Sequence, residues 1–248
     1  MKRIGPWWES ARGQDGVPAP VKTDDFWLLS RAWSTAGGFV RGARVVFRTI
    51  GSLARGRKAV GMGAALAASL LEVDTKLGVE IWLSSPATAL VVDGERVVGV
   101  RTDHEGRSLT IRATRGVVLG GGGFDHNRQW RERYQGVDGT ASSGSKGNVG
   151  SAISIAEDIG AATELMDDAW WGGSVPPVNG GAAAFLASER AMPYSIIVDA
   201  VGERFANESE SYVDLGHHML EHSTRVPGSY WMIGDERHAR RYLRSYAL

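Results

Sequence analysis

The chain has 248 residues, enough for one large domain or two small ones, and 43% of them are apolar, which suits a packed core. Its 28 basic and 28 acidic side chains cancel, so the charge balance gives no case for nucleic acid or an anionic membrane as partner. It contains no cysteine, which excludes disulfides and thiol chemistry.

Residues 1 to about 60 carry the weakest pattern. Gly13 to Pro20 is polar and rich in Gly and Pro, hence loop. Phe26 to Trp33 is apolar and aromatic and suits a short helix. Arg41 to Lys58 holds six basic residues and no acid. That run reads as a solvated helix face or a partner surface before it reads as a phosphate site. Gly61-Met62-Gly63 opens a clear helix, in which Leu66, Leu70, Val73 and Leu77 fall at i, i+4, i+7 and i+11 on one face. Ala64, Ala65, Ala67 and Ala68 add propensity, and Gly78 stops the helix at its C′ position. Val79 to Leu83 is a strand by composition.

A meander follows. Thr88 to Val92 forms one strand, Asp93-Gly94 turns the chain, Val97 to Thr102 forms the second, His104 to Arg107 turns again, and Leu109 to Ala113 forms the third. The chain then reaches Val117-Val118-Leu119, a short apolar run, and four glycines, Gly120 to Gly123. An apolar run ending in glycines reads as a buried strand opening onto a backbone-only surface, where a ligand can approach because no Cβ is in the way. Ligands of open α/β sheets bind beyond such strand ends. The same pattern also fits a turn that merely closes a sheet. It is not a G-x-G-x-x-G opening a helix.

Asn127 to Tyr134 suits a helix, and Gly136 to Gly147 a loop. Asn148 is placed to cap the next helix, in which Ile153, Ala156 and Ile159 share a side before Gly160 ends it. Ala161 to Met166 reads as a strand. Trp170 to Gly173 and Pro176-Pro177 break the pattern, so a domain boundary is expected near residue 173. Beyond it, Tyr194 to Asp199 and Ser229 to Gly234 read as strands, with a turn at Ala200 to Glu203 after the first. A polar helical run passes through His217-His218, and Asp235 to Leu248 reads as a basic helical segment. Together these elements imply an α/β fold. No apolar run approaches the roughly 20 residues of a membrane span. Met1-Lys2-Arg3 leads into Pro6-Trp7-Trp8-Glu9 rather than an apolar segment, so no secretory signal is read and a cytoplasmic location is expected.

The run Gly61 to Leu66, the meander, and Leu119 to Asn127 resemble the FAD-dependent fumarate reductase/3-ketosteroid dehydrogenase flavoproteins. So do Gly147 to Ile153, Ala169-Trp170-Trp171, Ser188 to Pro193 with Ile196 to Val198, and Gly202 to Glu208 with Tyr212. The resemblance runs from about residue 55 to 245. Ala-Trp-Trp and Asn-Glu-x-x-x-Tyr lean to the ketosteroid dehydrogenase branch, since fumarate reductases carry Arg at the Tyr212 position.

The resemblance implies an FAD domain over 1–173, lacking the N-terminal βαβ unit, and part of an α+β substrate domain over 174–248. It further implies that the chain is an internal piece of an enzyme roughly twice as long. Ala87 and Thr88 would lie by the adenine side of FAD, Gly120, Gly121 and Gly122 near its ribose and pyrophosphate, and Asn148 and Gly150 near the flavin. Where the family carries Asn-Thr-Gly-Asp, this chain reads Asn148-Val149-Gly150-Ser151, without the second-position hydroxyl and the final carboxylate. Tyr212 matches the tyrosine that takes a proton from C2 of a steroid A-ring while a hydride leaves C1 for the flavin. A phenol is a weak base, with an ordinary pKa of about 10, so C2–H must be acidified by donors on the C3 carbonyl.

Glu208 suits a base or proton relay, and equally an ion pair with Arg204 or Arg190. His217 and His218 lack metal-ligand spacing, Ser151 lacks a nucleophile-elbow context, and no metal site is read. The expected partner is a steroid or another hydrophobic ketone. Two other readings stay open: a chain that binds neither FAD nor substrate, and an NAD enzyme, which the missing G-x-G-x-x-G disfavours. A sizeable exposed apolar patch is also expected.

Overall fold

A computed structural model describes residues 21–57, 61–137, 142–176, 183–186 and 188–242. The chain divides into two compact units: Leu71–Ala169, and the described residues on either side of it, 21–70 and 170–242. Residues 21–70 group with 170–242 rather than with 71–169.

In the flanking unit, α1 spans Thr23–Leu29 and α2 spans Ala36–Ala54. Thr35 caps α2, its hydroxyl accepting from Gly38 N at 3.1 Å. The two helices pack together. A Cβ on Gly38 would overlap the Arg31 and Leu28 carbonyl oxygens, so only glycine permits this crossing. Between them Asp25 is fully buried. It accepts from Lys22 N at 2.9 Å, Arg41 Nη1 at 3.2 Å and Arg48 Nη2 at 2.5 Å. The Lys22 amide, with the two guanidiniums, holds its carboxyl below the usual range despite burial. Two members of the basic run are therefore ion-paired inward, whereas Arg44, Arg55 and Arg57 are exposed. Lys58 lies outside the described residues.

Helix α3, Met62–Lys76, forms as the period implies, and Gly78 follows with φ +73°. Its apolar stripe faces outward, with Leu66, Leu70, Val73 and Leu77 all exposed, as are Phe39, Phe47, Ile50 and Leu53 of α2. In unit 71–169, β1 (Ala87–Asp93), β2 (Arg96–His104) and β3 (Arg107–Arg112) make the expected antiparallel meander in the order β1-β2-β3. Gly94 at the first turn and Glu105 and Gly106 at the second take positive φ, as two-residue hairpin turns require. Helix α4, Arg128–Trp130, continues into a π-helical turn, Arg131–Gln135. Helix α5, Ser151–Glu157, packs on β1.

Three expected strands do not form. Residues 79–83, 117–119 and 161–166 belong to no sheet, and Val118 is 95% exposed. All strand pairings among the described residues are antiparallel. A strand of a parallel sheet takes every ladder hydrogen bond from distant neighbours. The composition of these segments is strand-like, but no described segment supplies that ladder.

After Ala169 come the short pair β4 (Ser174–Val175) and β5 (Ala184–Phe185), a 3₁₀ turn Glu189–Ala191, and β6 (Ser195–Val198). Then follow α6 (Tyr212–Ser223), β7 (Trp231–Gly234) and α7 (Glu236–Arg241). β6 and β7 pair antiparallel, Ser195 opposite Gly234. Leu215 of α6 is completely buried, and Gly216 lets the helix lie directly against the Trp171 backbone. Residues 243–248 of the expected C-terminal helical segment lie outside the described residues.

Candidate functional site

In unit 71–169 the glycine run and the residues after it, through Asn127, are joined to the loop before α5 by three hydrogen bonds. Gly150 N donates to Gly123 O at 3.1 Å, His126 N to Asn148 O at 2.9 Å, and Asn127 Nδ2 to Val149 O at 3.0 Å. Asn127 also caps α4, its Oδ1 accepting from Trp130 N at 3.1 Å. Gly120, Gly121, Gly122, Asn148 and Gly150 are thereby brought to one place. A Cβ on Gly121 would come within 2.6 Å of the Ala152 methyl. One on Gly122, which has φ +75°, would overlap Asn148 Oδ1. Gly150, at φ +85°, sits over the Trp130 ring, itself packed edge-on against Phe124. Apart from their chain neighbours, Gly120 and Gly123 have no heavy atom of the described residues within 4 Å of where a Cβ would stand. One side of the run is packed tightly and the other is bare backbone.

That bare backbone suits a bulky phosphate-bearing cofactor, because amides and carbonyls are reachable without side chains. Asn148 is not the cap of α5, contrary to the sequence expectation. Gly150 holds that position, and the Asn148 amide lies on Gly122 instead.

Ala87 and Thr88 open β1. The Thr88 hydroxyl donates to Arg101 O at 3.3 Å. Ala87 lines a cavity of about 360 Å³ with Glu80, Trp82, Ser85, Val100 and Thr102. Trp82 stacks on His104 at 4.4 Å, and Ser85 Oγ lies 2.7 Å from His104 Nδ1. Sequence reasoning missed this aromatic pair, since the two residues come together only when β2 folds back.

In the flanking unit Tyr212 is the first residue of α6. Ser211 caps the helix, its hydroxyl accepting from Val213 N at 3.3 Å. The Tyr212 ring is half-buried and meets Phe185 of β5 edge-on, centroids 5.2 Å apart at 86°. Glu208 is buried. Its Oε1 accepts from Ile197 N at 2.9 Å and Arg204 Nε at 3.0 Å, and its Oε2 from Arg204 Nη2 at 2.6 Å. Burial opposes ionisation, but these hydrogen bonds and the guanidinium charge outweigh it and hold the carboxyl at about 2. Of the two readings left open, the geometry takes the ion pair with Arg204. A carboxyl so acidic carries protons poorly at neutral pH.

Arg190 is also buried. Its Nη1 donates to the Glu208 carbonyl and its Nη2 to the Glu210 carbonyl at 2.7 Å. In a further pair, buried Asp199 lies 2.9 Å from the Nε2 of half-buried His222, with Phe205 stacked on the imidazole at 4.6 Å. The His222 hydrogen bond, with two turn amides, holds the Asp199 carboxyl low against burial. Sequence offered no sign of this pair, whose members are far apart in the chain.

Residues 11–245 match the protein family described as FAD binding domain. The chain is 40% identical to a 3-oxosteroid 1-dehydrogenase of Mycobacterium tuberculosis, over 95% of this chain and 44% of that protein. It is 32% identical to a 4-oxocyclohex-2-ene-1-carboxylate 5-dehydrogenase of Sinomonas cyclohexanicum, over 84% of this chain and 37% of that one. Among solved structures, 3-ketosteroid Δ1-dehydrogenase from Sterolibacterium denitrificans, in complex with 1,4-androstadiene-3,17-dione, superposes with a TM-score of 0.82. It shares 32% identity and covers 90% of this chain and 42% of its own. The chain thus spans less than half the length of the relatives it matches. The likeness agrees with an α/β fold built around part of an FAD-binding domain, and the chain belongs to the FAD binding domain family.

Proposed function

We propose that the protein is an FAD-dependent oxidoreductase that desaturates a CH–CH group beside the carbonyl of a cyclic, steroid-like ketone in the cytoplasm. In this reading residues 1–173 belong to the part that holds the cofactor and residues 174–248 to the substrate domain. The observation that carries it is Tyr212, half-buried against Phe185 at the start of α6, in a chain 40% identical to a 3-oxosteroid 1-dehydrogenase. When bound, FAD supplies the acceptor for a hydride. Gly120, Gly121 and Gly122 offer it backbone approach, with Asn148 and Gly150 holding their loop in place. Ala87 and Thr88 stand on the adenine side. Tyr212 takes the proton from the carbon next to the carbonyl, and as the neighbouring carbon gives up its hydride a C=C bond forms. Phe185 orients the phenol ring. Glu208, bound to Arg204 and Ile197 N, acts by holding the chain that leads to Tyr212 rather than by moving protons.

The test is turnover of 3-ketosteroids by the full-length, flavin-loaded protein, wild type against Tyr212→Phe. Loss of a general base lowers turnover about 10²–10⁴-fold. Unchanged turnover at equal flavin content removes Tyr212 from the mechanism. The second reading, a fold that binds no FAD, draws on Val149 and Ser151, which stand where the family carries a hydroxyl and a carboxylate. A visible flavin spectrum of the purified protein rejects it, and a colourless protein supports it.

A further inference from the structure

We propose that Arg190 is a positioning residue for Tyr212, its guanidinium fork tying together the two carbonyls that lead into helix α6. This inference rests on Tyr212 being the base.

Arg190 projects from the 3₁₀ turn Glu189–Ala191 and is only 3% exposed. One arm of its guanidinium holds the Glu208 carbonyl and the other the Glu210 carbonyl. Tyr212 follows two residues later. The same short segment is fixed from a second direction, because the Glu208 carboxylate accepts from Ile197 N in β6. Residues 208–210 are therefore clamped between the turn and the β6–β7 sheet just before the Ser211 cap.

Burying a guanidinium is costly in lost hydration, which the nearby Glu210 charge only partly offsets, and an apolar side chain of similar size commonly does as well or better for stability. Arg190 Nε is also buried, with no hydrogen-bond partner among the described residues. Such a cost suits a demand for geometry rather than for stability. The planar five-donor fork of arginine holds two carbonyls in a fixed geometry, whereas an ammonium is a flexible point charge. The clamp fixes the first turn of α6 and so the seat of the Tyr212 ring on Phe185.

The experiment uses the full-length, FAD-loaded protein with Arg190→Lys and Arg190→Gln, each in wild-type and Tyr212→Phe backgrounds. Readouts are kcat and KM for a 3-ketosteroid, flavin absorbance, binding of the 1,4-dien-3-one product and Tm. With Tyr212 present, Arg190→Lys lowers kcat about 10- to 100-fold, the scale of a misplacement near 1 Å. KM, product binding and flavin content stay near wild type. In the Tyr212→Phe background the same change costs nothing further, because there is no phenol left to misplace.

Equal losses in both backgrounds, unchanged kcat, or loss of flavin or folding in both Arg190 variants would overturn the assignment and leave Arg190 a structural residue. If Tyr212→Phe alone keeps full turnover, the underlying reading of the base has failed, a result distinct from failure of the clamp.

Discussion

Glu208→Gln tests the buried ion pair directly. The substitution keeps the shape of the side chain and an acceptor for Ile197 N but removes the charge facing Arg204. The Glu208 carboxyl falls from an ordinary 4.5 to about 2 in the folded protein. At about 1.4 kcal/mol per pH unit, that drop corresponds to about 3.5 kcal/mol of stability. The Arg204 side chain is 55% exposed, so solvent screening trims the expected difference to about 1.5–3 kcal/mol. Because the folded pKa lies below the unfolded one, the contribution is complete above pH 4.5 and fades as pH falls toward 2. Urea denaturation of wild type and Glu208→Gln at pH 7, 5, 4 and 3 measures it. The gap is widest at pH 7 and 5 and closes through 4 and 3. Asp25 and Asp199, whose carboxyls are also held low, are common to both proteins and cancel in the difference. A gap of the same size at pH 7 and pH 3 would mean that the ionised pair is not its source, and the electrostatic argument would fall.

Gly122→Ala places a Cβ at φ +75° and against the Asn148 amide. It should cost about 1–2 kcal/mol and lower the flavin-to-protein ratio read by absorbance; full flavin loading at unchanged stability contradicts the close approach. Asp25→Ala leaves Arg41 and Arg48, each about one-third exposed, without their shared acceptor. It should destabilise the protein by about 2–4 kcal/mol in chemical denaturation, and a loss below about 0.5 kcal/mol would show that the pair is dispensable.

Where neighbouring residues supply the hydrogen bonds, the sequence was enough. The alanine-rich period of Met62–Lys76 with its Gly78 stop, and the meander turned at Asp93-Gly94 and Glu105-Gly106, follow from contacts a few residues apart. The glycine run was legible from its composition as a place open to close backbone approach, whereas Asn148, Gly150 and Tyr212 were singled out only by the family resemblance, and the pattern reading of Asn148 as a helix cap gave way to Gly150. What fills the space was not legible: Ala152 behind Gly121, Trp130 beneath Gly150 and Phe185 beside Tyr212 are brought in by folding. The strand readings at 79–83, 117–119 and 161–166 failed because composition marks a segment able to enter a sheet, while the ladder itself belongs to distant partners. Asp25, Arg190, Asp199 and Glu208 look like surface charges in a linear chain. Only the tertiary structure decides that they are buried, since a charge leaves water only when its counter-charge or carbonyl partners, here from 4 to 23 residues away, converge on it.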